Sequence, residues 1–262
     1  MRAICLHDKD RIAAFLRRNP ALNVYLIGDL DDFFWPYTQW YGLEEAGELR
    51  EVALLYAGTS LPVLLAHTDD PPAMGALVRG IAHLLPRRMY SHLSAGVLEA
   101  LADSYTAESH GTLYKMALAG MERLMAVDVS AAVRLGPADL EEVAEFYRLA
   151  YPDGWFDPRM LETRQYFGVR RLGQLASVAG IHVYSPAYGV AALGNIATRP
   201  DMRGQGLATV ATAAACRSVL QEVGFVGLNV RVDNAAAIAC YRRLGFEPRA
   251  TYDEYMLELR AS

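Results

Sequence analysis

The sequence predicts an α/β chain of two domains, each a central mixed β-sheet flanked by helices, and three observations predict it. In the second half, apolar runs of strand length alternate with helical stripes in the order β-α-α-β-β-β-α-β-α-β. The first half repeats that order more faintly. The length, 262 residues, is long for one small α/β domain and suits two.

The elements of the second half follow from local patterns. Residues 133–135 form a short strand. Pro137 and Asp139 open a helix whose stripe is Leu140, Val143, Ala144, Tyr147 and Tyr151, spaced as one buried face of a helix requires. A loop over 152–156 leads to a second helix beginning near Asp157 and Pro158. Strands then run over about 166–171, 175–184 and 188–198, separated by turn residues at 172–174 and 185–187. A glycine turn opens a long alanine-rich helix. The valine-rich run 225–232 reads as a strand, a short helix starts at Asn234, and a last strand covers 252–259. In the first half, helical patterns cover 9–18 and 21–33. Strands cover 38–42, 49–57 and 61–67, a helix 71–85, a strand 88–92, a helix 95–102 and a strand 105–118. The expected domains are 1–119 and 131–262, joined by 119–130.

The most chemically specific segment is Arg203-Gly204-Gln205-Gly206-Leu207-Ala208-Thr209. Its two glycines let the backbone come close to a ligand. The helix that follows offers unpaired amides and the positive end of its dipole, so a pyrophosphate would be held there. A dinucleotide-binding Rossmann loop, with Asp233 as its ribose acid, fits less well: Thr209 stands where a third small residue is needed, and too few strands follow. A P-loop fits less well again, because Gly206-Leu207-Ala208 lacks the Lys and Ser or Thr. A plain glycine turn before a buried helix is the bland alternative.

The segment ahead narrows the choice. Asn234 reads as an N-cap, Gly245 as a C-cap glycine, and Tyr241 lies seven residues after Asn234, two turns along one helix face. The pattern Arg203-x-x-Gly206-x-Ala208 resembles the acetyl-CoA pyrophosphate loop of the GNAT acetyltransferases, and Asn234-x6-Tyr241-x3-Gly245-Phe246 resembles their second motif. The resemblance covers about residues 190–257. It implies acetyl-CoA as cosubstrate and no metal. The cofactor contacts it implies are Ile196, Ala197 and Thr198 on the strand before the loop, then Arg203, Gly204, Gln205, Gly206, Leu207, Ala208 and Thr209, then Asn234, Ala237 and Tyr241. Tyr241 would stand at the CoA sulfur and protonate the departing thiolate; a core aromatic is the bland alternative.

The first half carries Thr68-Asp69-Asp70-Pro71-Pro72 where the phosphate loop would fall. Two carboxylates repel phosphate and two prolines remove N–H donors, so this half reads as a degenerate GNAT-like domain without CoA, with an unrelated α/β domain as the alternative. The arrangement is similar to glycine N-acyltransferase-like proteins, which pair a weak first half with an active second one.

Acyl transfer to an amine also needs a base, which in this family is often a glutamate on the strand before the loop or its neighbour. Here the strand 190–197 has no carboxylate, only Asn195. His182 or Tyr184 on the neighbouring strand is the candidate relay, His182 the stronger one; a satisfied strand histidine is the alternative. A lysine-like amine of pKa ~10.4 costs about 4–5 kcal/mol to deprotonate at pH 7, an α-amine near ~8 only about 1.3, so an α-amine is the easier acceptor. The resemblance implies an acceptor pocket between the early helices and the central strands, which points to Tyr151, Asp153, Trp155 and Phe156; the cluster Asp29-Leu30-Asp31-Asp32-Phe33-Phe34-Trp35 either adds to it or is a helix end with core packing.

The leading function is N-acetylation of a small-molecule primary amine, an amino acid among the candidates. A longer-chain acyltransferase and a non-catalytic CoA sensor are the alternatives. A net charge of −5 argues against nucleic acid, and no stretch reaches the ~20 apolar residues of a membrane span. The first ten residues turn polar too soon for a secretory signal. Cys5, Cys216 and Cys240 lack metal-ligand spacing, and Cys216 and Cys240 read as small core residues in a reducing compartment. The expectation is a cytoplasmic monomer or homodimer.

Overall fold

The structure, a computed structural model, describes residues 1–152 and 154–260. It divides into two units, one of Met1–Lys115 together with the chain from Arg249 onward, the other Met116–Pro248.

The first unit opens with β1 (Arg2–Leu6), a strand too short and too mixed to be read from sequence, which pairs antiparallel with β2 (Thr38–Glu45). Between them lie α1 (Lys9–Leu16), capped by the Asp8 carboxylate on the Arg11 amide, and α2 (Pro20–Gly28), capped by Asn19 with proline in the first turn. Strands β3 (Glu48–Tyr56) and β4 (Val63–Ala66) continue the antiparallel meander. Helix α3 (Pro71–Ile81) then crosses over to β5 (Arg88–Leu93), which lies parallel to β4, and β6 (Tyr105–Leu118) follows. The expected helix 21–33 stops early, and the expected helix 95–102 is a single 3-10 turn at Leu98–Ala100. The left-handed Gly96, φ +83°, keeps that segment from starting as a helix.

The second unit holds α4 (Glu122–Met125), β7 (Ala132–Leu135), α5 (Leu140–Ala150), β8 (Tyr166–Arg171), β9 (Gln174–Ser185), β10 (Val190–Thr198), α6 (Leu207–Val219), β11 (Phe225–Arg231) and α7 (Ala235–Arg243). The second expected helix is a 3-10 segment, Pro158–Thr163, ended by Arg164 at φ +55°. The sheet order here is β11-β10-β9-β8-β7, antiparallel except for the β10–β11 pair. Helix α6 packs on β8, β9 and β10, while α5 packs on β9 and β10. Cys216 and Cys240 are buried and Cys5 is exposed, all as free thiols.

The division differs from the expected boundary at 131–262. Strand β12 (Phe246–Leu259) leaves the second unit at Pro248, and its Asp253–Glu258 run pairs antiparallel with Leu93–Arg88 of β5. The first unit's sheet therefore runs β1-β2-β3-β4-β5-β12-β6. The apolar reward is Leu257, fully buried in the cluster formed by Met74, Leu77 and Val78 of α3 with Met89 and Leu93 of β5. An alternating pattern tells which face of a strand is buried, not which strand it will pair with. Among the described residues, no helix is long and apolar enough to cross a membrane.

Candidate active site

After β10 the chain makes a 3-10 turn at Pro200–Met202 and reaches Arg203 to Gly206. Gly204 and Gly206 take φ +79° and +74°, where other residues are strained; a Cβ on either would meet nothing within 4 Å, so conformation rather than crowding calls for glycine. Gly206 is the N-cap of α6, and no side chain caps that helix. The amides of Leu207, Ala208 and Thr209 thus form a first turn without intrahelical acceptors. Arg203, Gly204, Gln205 and Gly206 are exposed, Leu207 is buried, and the Arg203 Nε approaches the Thr198 carbonyl at 3.4 Å.

Strands β10 and β11 pair only from Val190↔Phe225 to Leu193↔Leu228, although β10 runs on to Thr198 and β11 to Arg231. They part where β10 is bulged. His182 is an extra residue in β9 between the pairs Ile181↔Leu193 and Val183↔Ala192, and β10 carries its own extra residue between Gly194↔Gly180 and Ala197↔Val178. Asn195 sits in the second bulge at φ +52°. Bulges bend a strand and re-aim its side chains, which here opens a gap beside Ile196, Ala197 and Thr198. The Ala197 carbonyl accepts from Ser177 Oγ at 2.9 Å, which also contacts Thr198 Oγ1 at 2.9 Å.

Asn195 is held from three directions. The Tyr147 hydroxyl donates to its carbonyl at 2.7 Å, its Nδ2 donates to the Tyr166 hydroxyl at 2.9 Å, and its Oδ1 lies 3.1 Å from His182 Nε2. The Tyr166 hydroxyl spends its one hydrogen on the Ile181 carbonyl at 3.0 Å, so it can only accept from Asn195. That fixes the amide with Oδ1 toward His182, and His182 must then carry its hydrogen on Nε2, leaving the lone pair on Nδ1. Burial lowers the His182 pKa, partly offset by the Asn195 bond, so the ring is neutral at pH 7. Burial likewise holds the Tyr147 and Tyr166 hydroxyls above the usual tyrosine range. Two facing glycines make room for these rings: a Cβ on Gly180 would fall 2.2 Å from Tyr166, and one on Gly194 2.5 Å from His182.

Aromatic rings gather on the same network. Trp155 meets His182 edge-on at 5.9 Å, and Phe156 lies 5.0 Å from Tyr147 and 5.9 Å from Tyr166. Tyr151 packs 6.4 Å from Tyr147; Tyr151 and Trp155 remain exposed. Asp153, the fourth expected pocket residue, lies outside the described residues. Tyr184 is not part of this group. Burial first, then the Glu222 carboxylate, pushes its pKa to about 12. The 29–35 cluster proves to be a helix end with packing: Leu30 and Phe34 are buried, and Lys9 bonds Asp32 at 2.5 Å while lying over the Trp35 ring.

On α7, the Asn234 side chain accepts from the Ala237 amide at 3.1 Å, which makes it the N-cap. Asn234 stands at the exposed tip of the helix, whereas Tyr241, two turns on, is 6% exposed with its ring edge-on to Phe246 at 6.4 Å. Burial raises the Tyr241 pKa above the normal tyrosine range, and Cys240 and Tyr151 add to the rise. The residues that sequence reading passed over are Tyr147, Tyr166 and the role of Asn195; a lone amide inside an apolar strand was the available sign. Among the described residues, no group of three or more His, Cys, Asp or Glu is placed to hold a metal.

Residues 138–246 match the acetyltransferase (GNAT) family. The chain is similar in structure to a putative GNAT-family acetyltransferase from Novosphingobium aromaticivorans, with 20% identity over 93% of this chain and 100% of that one and a TM-score of 0.63. A Drosophila protein aligns over 98% of both chains with 13% identity and a TM-score of 0.71. A tandem GNAT protein from the clavulanic acid biosynthesis pathway aligns over 100% of this chain and 99% of that one, with 18% identity and a TM-score of 0.59. At these identities the likeness is one of fold. No curated protein matches the sequence.

Proposed function

We propose that this acyltransferase, whose residues 138–246 are a GNAT-family domain, moves the acetyl group of acetyl-CoA to a primary amine of a small molecule. The observation that carries the reading is the coincidence of two features: β10 and β11 part after Leu193 and Leu228, and β10 then leads directly to two left-handed glycines and the uncapped N-terminus of α6. A pyrophosphate on the first-turn amides would send the pantetheine arm along the gap, beside Ile196, Ala197 and Thr198. Arg203 and Gln205 would flank the phosphates, Asn234 and Ala237 the arm, and Tyr241 the sulfur.

The amine nitrogen attacks the thioester carbon, and the oxygen that becomes negative needs a donor; a backbone N–H of the bulged end of β10 supplies one. The amine proton goes to the imidazole of His182, whose ring Asn195 holds. The C–S bond then breaks and the thiolate takes a hydrogen bond or proton from Tyr241. A neutral histidine of lowered pKa is a modest base. That suits an α-amine, which is ~1.3 kcal/mol from its neutral form at pH 7, better than a lysine-like amine at about 4–5.

The sign of the pH dependence follows. With an α-amine acceptor, kcat/KM falls below pH ~8 as the amine protonates. A second, steeper break should appear as pH drops through the His182 pKa, which lies below its ordinary 6.5 because burial disfavours the imidazolium. His182→Ala should lower kcat by about 10²-fold and remove that second break. A pH–rate profile with an amino-acid panel checks this; an unchanged profile in the variant would exclude His182 as the base.

One chain should bind one acetyl-CoA. In the first unit the corresponding helix, α3, is capped by its own Asp70 carboxylate on the Ala73 amide at 3.2 Å, which occupies the place of an anion. Beside it the parallel strands stay closed, since the Thr68 amide donates to Ser94 Oγ at 3.0 Å where β10 and β11 have parted. Calorimetry should give one equivalent; two equivalents would show that the first unit binds as well.

A further inference from the structure

The first unit's sheet has two unlike faces. Met89, Leu93 and Leu257 face the apolar cluster under α3. By strand alternation Tyr90 and His92 of β5 point to the other face, joined there by Glu254 of β12, which is paired with His92. This second face is polar, and Tyr90, His92 and Glu254 are half-buried on it. Glu254 is well supplied with donors: Tyr90 Oη at 2.8 Å, Tyr252 Oη at 3.3 Å and His92 Nε2 at 3.3 Å.

Two further groups are not supplied. Lys115 of β6 is 1% exposed, and its Nζ has no hydrogen-bond partner. It lies between two ring faces, 5.2 Å from the Tyr25 centroid and 4.9 Å from that of Tyr252. His67, immediately after β4, is 3% exposed, and neither ring nitrogen has a hydrogen-bond partner. Its ring stands 5.2 Å from Tyr252, so both groups meet on one tyrosine. Burying an ammonium is costly, and ring faces recover only part of what water or a carboxylate would give. An apolar residue at 115 would cost the fold less.

We propose that this face of the first unit is a binding site for a small carboxylate, held by Lys115 and His67 against the ring of Tyr252. The set is rich in donors, so its ligand must bring acceptors. Lys115 is its one unspent cation. The His67 imidazole is kept neutral by burial and by the Lys115 charge, and burial brings the Lys115 amine down to about 7. One negative charge balances that cation. A phosphate dianion would leave excess negative charge beside Glu254. The aromatic walls suit a short alkyl group on the carboxylate. The site is separate from the acetyl-CoA site proposed in the second unit and does not depend on it.

Acetate is the probe, and the intact chain is the sample. Titration with ¹³C-methyl acetate should give saturable binding, with NOEs from its methyl group to the ring protons of Tyr25 and Tyr252. Lys115→Met, of similar length, should weaken binding about tenfold or more, the usual loss for a hydrogen bond to a charged group, while leaving acetyl-CoA binding unchanged. The absence of saturable NOEs in the unmodified protein overturns the proposal, whether or not the variant folds. So does equal acetate affinity in Lys115→Met. A variant that melts higher while the unmodified protein shows no acetate contact identifies Lys115 as a costly core residue and nothing more.

Discussion

Gly206→Glu should weaken acetyl-CoA binding by about a hundredfold or more while the protein stays folded. Two carboxylate–phosphate repulsions at ~6 Å and an effective dielectric of ~40 amount to about 2.8 kcal/mol, which is that factor. The side chain itself meets nothing, since a Cβ at 206 has no neighbour within 4 Å. The backbone does object: φ +74° suits glycine and costs any other residue about 1–3 kcal/mol. Gly206→Ala carries the same backbone strain without the charge and separates the two effects. Calorimetry on both variants, with melting temperatures from the same preparations, decides the matter. Affinity within threefold of the unmodified protein in the glutamate variant would mean the phosphates bind elsewhere.

Tyr241→Phe should lower kcat by about 10²-fold, the low end of the range for general acids. The reason is the mismatch of acidities. A thiol has a pKa near ~8.5, and burial holds Tyr241 above 10, so full proton transfer to the thiolate is uphill by ~2 kcal/mol or more. The hydroxyl therefore works chiefly as a hydrogen-bond donor to the developing charge. Acetyl-CoA affinity and the melting temperature should change little, because the ring keeps its contact with Phe246. The hydroxyl also stays protonated past the ordinary tyrosine range, so no alkaline loss of activity near pH 10 should trace to it. Full kcat in the phenylalanine variant would remove Tyr241 from the reaction; a large fall in melting temperature with normal turnover would leave it a core aromatic.

What could be read from sequence is what local chemistry dictates. Gly204 and Gly206 announce themselves because a left-handed turn into a helix requires them, and Asn234 because a cap is a contact three residues long. The alternation of 225–232 and the stripe of α5 likewise carry their own periods. The hidden part is the grip on Asn195, drawn from residues 147, 166 and 182 on three other elements. It depends on two bulges, and each shifts the alternation by one residue, which is the regularity a pattern reading assumes. Tyr147 was visible only as one more member of an apolar stripe. The helix expected at 95–102 failed for a simpler reason, one left-handed glycine near its start.

Strand β12 sets the order in which the polypeptide can mature. Residues 1–115 leave the ribosome early, but the sheet position between β5 and β6 is filled by residues made more than a hundred positions later. At ~5–20 residues per second the wait is on the order of 10 s. During that time the free edge of β5, Arg88–Leu93, is open to pairing with other nascent chains. Nascent chains stalled before Arg249 should therefore be protease-sensitive along their first 115 residues, and the emergence of residues 249–259 should be the event that protects them.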